Sequence, residues 1–183
     1  MVDHVTISEL AAGASTSVQL PTTGIGTPTG VTVDGAGAIY VADGACQNRV
    51  LMLAAGSSAP TVLPFTGLNV LGAVAVDTAG NVYVADGVNS PDARVLKLAP
   101  GSTRPMALPF TDLSNPQGLA VDDSGNLYVS NTGKKRVLKL AAGSDTPTEL
   151  PFTDLKDPKG LAVDGAGNVY VSDGNRVLKL AAG

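Results

Sequence analysis

The chain has 183 residues, 12 Lys and Arg against 16 Asp and Glu, a formal charge of −4 and one cysteine, Cys46. That balance argues against nucleic acid or an anionic membrane surface as the main partner, since both reward a basic face. A lone cysteine leaves no intramolecular disulfide and no cysteine-rich metal site. A 44% hydrophobic fraction beside 22 Gly and 12 Pro describes many short apolar strands between many turns in a single domain, not disorder.

In chain order, the first expected strands are residues 4–10 and 17–21. Ile7–Leu10 followed by Ala11–Gly13 matches the later VLKL–AAG, and Pro21 aligns with Pro64. Then one phrase recurs four times. It reads VTVDGAGAIYVAD…NRVLMLAAG at 31–56, VAVDTAGNVYVAD…ARVLKLAPG at 74–101, LAVDDSGNLYVSN…KRVLKLAAG at 119–143 and LAVDGAGNVYVSD…NRVLKLAAG at 161–183. Equivalent aspartates at 34, 77, 122 and 164 give periods of 43, 45 and 42 residues. Such a period marks stacked supersecondary units.

Each unit resolves into four short runs. LAVD (161–164) is apolar enough for an inner strand buried on both faces. A D-x-x-G-N turn follows, in which Gly supplies positive φ and Asp caps the turn, so the next run, VYVSD (169–173), closes a tight hairpin. RVLKL (176–180) is the third strand. ELPF (149–152), like 62–65 and 107–110, is the fourth. Its Pro removes a backbone donor and suits an outermost edge. Four antiparallel strands per 40–45 residues predict an all-β propeller with four blades per chain plus an extra N-terminal strand. The blades fall at about 31–65, 74–110 and 119–152, with a last one at 161–180 that strand 17–21 is expected to complete as a closing strap.

The runs LPFTDL-x-x-P-x-GLAVD, GNVYVSD and NRVLKLAAGS resemble NHL repeats. They are most similar to the extracellular sensor propeller of a mycobacterial receptor Ser/Thr kinase and to the idealised Pizza propellers designed from it. The resemblance covers nearly the whole chain and implies six-fold blade faces. Four such blades left as an arc would leave two apolar faces wet. Three closures stay open: one chain closing as a four-bladed ring, several chains sharing a ring by heterologous contact, or a piece of a longer propeller. Shared closure fits best, because the inter-blade angle is built into the blade. The resemblance also implies an extracellular location if the chain is an excised sensor domain. No secretory leader and no membrane-spanning apolar run is read in the sequence.

Function is less legible. The loops between the second and third strands vary while the framework repeats: Asp43 to Arg49, Asp86 to Arg94, Asn131 to Arg136, and Asp173 to Arg176 are spanned by different lengths and charges. Variable loops on a rigid scaffold are where binding resides. The candidate ligand residues are therefore Asp43, Asp86, Asn89, Asp92, Asn131, Lys134, Lys135 and Asp173. A recurring Asp…Arg pair reads more readily as a structural ion pair than as a ligand ring, and Asn131 beside Lys134 and Lys135 makes one locally basic blade. Asp34, Asp77, Asp122 and Asp164 read as turn caps rather than calcium ligands. Tyr40, Tyr83, Tyr128 and Tyr170 read as packing between blades, and Cys46 as an inert loop thiol.

His4 is the sole histidine. The lyases of NHL-like propellers depend on histidines, so the resemblance implies no catalytic residue, metal or cofactor here. The expectation is a non-catalytic binding or sensor propeller for a small molecule or a protein. A self-assembling structural or engineered repeat module is the alternative, and a metal-dependent lyase or lactonase the weakest reading.

Overall fold

The computed structural model describes residues 7–10, 12–20, 24–44 and 47–182. His4, Pro21 and Cys46 lie outside them. The first complete blade is β3 (Pro28–Val33), β4 (Ile39–Asp43), β5 (Arg49–Leu53) and β6 (Thr61–Val62). The second is β7 (Leu71–Val76), β8 (Val82–Asp86), β9 (Arg94–Leu98) and β10 (Met106–Ala107). The third is β11 (Pro116–Val121), β12 (Leu127–Asn131), β13 (Arg136–Leu140) and β14 (Thr148–Glu149). The fourth holds three strands, β15 (Pro158–Val163), β16 (Val169–Asp173) and β17 (Arg176–Leu180). All pairings are antiparallel. This is the expected all-β propeller. Among the described residues no helix is long and apolar enough to cross a membrane.

Second and third strands fall where the alternation of the sequence puts them. First strands begin three residues earlier than expected, at Pro28, Leu71, Pro116 and Pro158. The register shifts just after each of these residues, so a bulge lets the strand reach the end of its partner. Fourth strands shrink to two residues each. Leu63, Leu108 and Leu150 donate back to Val50, Val95 and Val137, and a tight turn at each Pro then brings the Phe N–H to the Leu carbonyl (Phe65 to Leu63 at 2.8 Å).

The hairpin turns form as read. Asp122 Oδ1 accepts the N–H of Ser124 (3.0 Å) and Asn126 (2.9 Å), and Oδ2 accepts the Tyr128 hydroxyl (2.9 Å). Asp34, Asp77 and Asp164 do the same with Tyr40, Tyr83 and Tyr170. The Tyr40, Tyr83 and Tyr128 rings line joints between blades, while all four hydroxyls are satisfied inside their own turns.

The core is a series of joints between blades. Ala42 and Val50 of the first blade pack with Leu71, Val84 and Leu96 of the second. Ala85 and Val95 pack with Leu119, Leu127 and Leu138 of the third. Val137 packs with Val171 and Leu155 of the fourth.

The N-terminal strands correct one expectation. β1 (Ser8–Glu9) pairs with β2 (Val18–Gln19), and β2 is not the strap of the last blade. The ribbon repeats the outer half of a blade. Ser8 opposes Gln19 as Leu138 opposes Glu149, and Leu20 N–H donates to the Ile7 carbonyl as Leu150 donates to Val137. Ile7 packs on Ile25, Val41 and Leu51, the face that in later blades receives the preceding blade's valine. β1 is thus a third strand and holds its own fourth strand at the back of the first blade.

Candidate functional site

The loop-bearing end is built on one clasp per blade. The last residue of each second strand opposes the first residue of the third, so Asp43 faces Arg49, Asp86 faces Arg94 and Asp173 faces Arg176 whatever loop joins them. Asp43 Oδ1 accepts the N–H of Gly26 (3.0 Å) and Thr27 (2.9 Å), while Oδ2 accepts Arg49 Nε (3.1 Å). Asp86 takes Asn69 N–H (2.7 Å) and Arg94 Nε (2.9 Å). Asp173 takes the N–H of Lys156 (2.7 Å) and Asp157 (2.6 Å) together with Arg176 Nε (3.0 Å). Each arginine then donates Nη2 to a carbonyl of the incoming loop, that of Gly24, Gly67 or Asp154.

The three carboxylates are wholly buried. Burial works against the charge of Asp173, but the N–H of Asp157, Arg176 and the N–H of Lys156 outweigh it, and its pKa is lowered. These groups tie strand ends to loops, and their oxygens face their own blade. Among the described residues no three His, Cys, Asp or Glu side chains come together.

The third blade differs. Asn131 Oδ1 accepts Ser114 N–H (2.7 Å) and its Nδ2 donates to the Asp112 carbonyl (3.0 Å). The other terminal atom of Asn131 is a donor where aspartate has a second oxygen, and buried Arg136 Nε has no partner. Arg136 instead reaches Asp112 (3.2 Å) and Glu149 (3.4 Å), and Lys134 joins Asp112 at 2.8 Å. The Lys134 hydrogen bond in particular lowers the Asp112 pKa. Lys135 stands exposed in the left-handed region at φ 53°. Asn89, at φ 61°, and Asp92 are exposed on the loop of the second blade.

Inside this rim lies a cavity of about 430 Å³, lined by Thr29, Val70, Gly72, Val88, Gln117 and Lys159 among others. Thr29, Gly72, Gln117 and Lys159 are one residue per blade. Each follows the residue opposite the clasp and sits at the bulge of an innermost strand. They were missed in the sequence reading. The available signal was the second letter of the recurring run, which differs in every copy: PTGVTVD (28–34), LGAVAVD (71–77), PQGLAVD (116–122) and PKGLAVD (158–164). Inner strands crowd here: a Cβ on Gly118 would stand 2.0 Å from the Lys159 carbonyl, and one on Gly72 2.2 Å from that of Pro116. Lys159 Nζ pairs with Asp157 at 2.8 Å and is half exposed. Two further grooves, about 500 and 450 Å³, lie between blades at the opposite end, around Tyr83, Lys97 and Met106 and around Tyr40, Met52 and Leu63.

The structure therefore splits the predicted residues. Asp43, Asp86, Asn131 and Asp173 are buried framework, whereas Asn89, Asp92, Lys134 and Lys135 stand on the rim of the same end.

The NHL repeat family model matches residues 113–140, the heart of the third blade. No curated protein matches the chain. Among solved structures, a chain of a nidogen/laminin complex is similar at 22% identity and TM-score 0.84, over 96% of this chain and 67% of that one. A gluconolactonase from Xanthomonas campestris is similar at 19% identity and TM-score 0.67, over 84% and 58%. A virginiamycin B lyase from Staphylococcus aureus is similar at 15% identity and TM-score 0.64, over 87% and 54%. At these identities the likeness is one of fold. The chain spans between about half and two-thirds of the chains it matches.

Proposed function

We propose that this propeller is a non-catalytic binding module that recognises a small molecule or an exposed peptide at the axial, loop-bearing end. One observation carries the reading: a framework that recurs with few changes surrounds positions that differ in every blade. Thr29, Gly72, Gln117 and Lys159 meet at the mouth of the axis, beneath loops of unequal length bearing Asn89, Asp92, Lys134 and Lys135. A rigid scaffold presenting a concave site of mixed apolar and polar lining is the usual form of a recognition site. The resemblance of the repeat runs to a receptor-kinase sensor propeller supports the same reading. The lyase and lactonase among the solved structures support a catalytic one only through shared fold, and fold does not carry function.

The test is a two-dimensional NMR screen of small organic acids, sugars and short peptides. Hits should perturb amides at Thr29, Gln117, Lys159 and Asn89. Gln117→Ala with Lys159→Ala should weaken them at least about tenfold, and Lys97→Ala at the opposite end should leave them unchanged. Hits confined to the Tyr83–Met106 groove would sink the site. Turnover of a lactone abolished by EDTA would sink the non-catalytic part.

A further inference from the structure

The two outermost blade faces are the two halves of a joint that the chain already makes three times. Val177 is 69% exposed, whereas Val50, Val95 and Val137 at the same blade position are fully buried by the next blade. Val31 and Val33 are 57% and 56% exposed, while Val74, equivalent to Val31, is buried. The last blade also presents Lys179 stacked 5.5 Å over the Tyr170 ring, the same pair as Lys97 over Tyr83 and Lys139 over Tyr128. Exposed valines on a blade face that the internal joints bury mark an interaction surface.

Strand positions identify what fits. The ribbon β1–β2 occupies the third and fourth positions of a blade, and no described residue supplies a first or second strand inside it, over Val31 and Val33. The sheet β15–β17 occupies the first three positions and lacks a fourth. The width of the gap follows from the comparison. With 96% of 183 residues occupying 67% of the nidogen/laminin-complex chain, that chain is about 260 residues long, six repeats of this period. Six blades of four strands hold about seven strands more than the 17 among the described residues.

We propose that the open sector is a docking surface for a seven-stranded segment of this same repeat type. It would supply a fourth strand for β17, one whole blade, and a first-and-second-strand hairpin that pairs with β1. The chain contains a segment of that composition, β10 to β16, within residues 102–175. A second whole copy does not fit, because it brings 17 strands to a sector of that width.

The test starts with the chain alone, which is expected to sediment as a monomer of 18.3 kDa and to bind a hydrophobic dye. Appending residues 102–175 after Gly183 should give a monomer that melts at least about 5 °C higher and no longer binds dye. Val177→Lys or Val31→Lys should remove that gain yet leave melting of the unextended chain unchanged, since both side chains are exposed there. If the extension misfolds, the same segment supplied as a separate polypeptide should bind the full chain one to one. Absence of both stabilisation and dye loss, in extension and mixture alike, overturns the proposal. So does a stable dimer of the unextended chain that Val177→Lys dissociates, which would make whole copies the occupant.

Discussion

Arg136 shows how much one atom type decides. In three blades a buried aspartate gives its arginine an acceptor; in the third, Asn131 offers an amide and leaves Arg136 Nε unpartnered. Asn131→Asp should stabilise the protein by about 1 kcal/mol, and the reverse change, Asp86→Asn, should destabilise it by about 1–3 kcal/mol by orphaning Arg94. Urea titration of both variants checks the pair, and a loss of stability in Asn131→Asp would refute the assignment. The turn aspartates set the acid limit. The Asn168 side chain first, then its backbone N–H, hold Asp164 down to about 2. Asp77 and Asp122 are lowered although burial opposes it, because Asn81 and Asn126 and the tyrosine hydroxyls donate to them. A folded pKa below the unfolded value near 3.9 means that the unfolded chain binds more protons as pH falls. The stability these groups add is therefore intact above about pH 4 and lost as pH falls toward 2. Burial, with help from Asp122, pushes Tyr128 up to about 12. Its contribution has the opposite sense, present below about pH 10 and lost as pH rises through 12. A melting profile that is flat from pH 5 to 9 and falls at both extremes is the expected result. A midpoint rising below pH 4 would contradict it.

At the scale of elements, alternation and turn chemistry placed second strands, third strands and hairpins at the residue level, because those features are local. The bulge that extends each first strand to Pro28, Leu71, Pro116 or Pro158 was not legible, since it answers to the inner strand of the neighbouring blade. The axial residues Thr29, Gly72, Gln117 and Lys159 were hidden for the same reason: they meet only once four blades stand side by side. The pairing of β1 with β2 was hidden because repeat sequence specifies a strand's place in a blade but not which copy of its partner it meets. Close approach at the axis gives a sharp test. Gly118→Ala puts a methyl 2.0 Å from the Lys159 carbonyl and 2.7 Å from Ser130 Oγ, whereas Gly165→Ala meets open space. The first should cost about 1–3 kcal/mol by forcing the strands apart and the second almost nothing. Equal costs for the two would mean that the third and fourth blades are not in contact there.

At the scale of the whole molecule, a repeated word acquires its energy from its neighbour. RVLKL is written at 94–98, 136–140 and 176–180, and its valine is fully buried in the first two places and 69% exposed in the third. A propensity argument makes Val137 and Val177 equal, since both sit in third strands with the same pairing, Val137 opposite Ser130 and Val177 opposite Ser172. A packing argument separates them. Val137→Ala removes two methyl groups from a joint formed with Leu155 and Val171, which should cost about 2 kcal/mol in transfer and cavity terms together. Val177→Ala removes the same atoms from a wet surface and should change stability by less than about 0.5 kcal/mol. Chemical denaturation of the two variants at one protein concentration decides between the arguments. Near-equal losses would mean that the face of the last blade is covered in solution as thoroughly as the internal joints. A loss for Val177→Ala that grows with protein concentration would locate that cover in another chain.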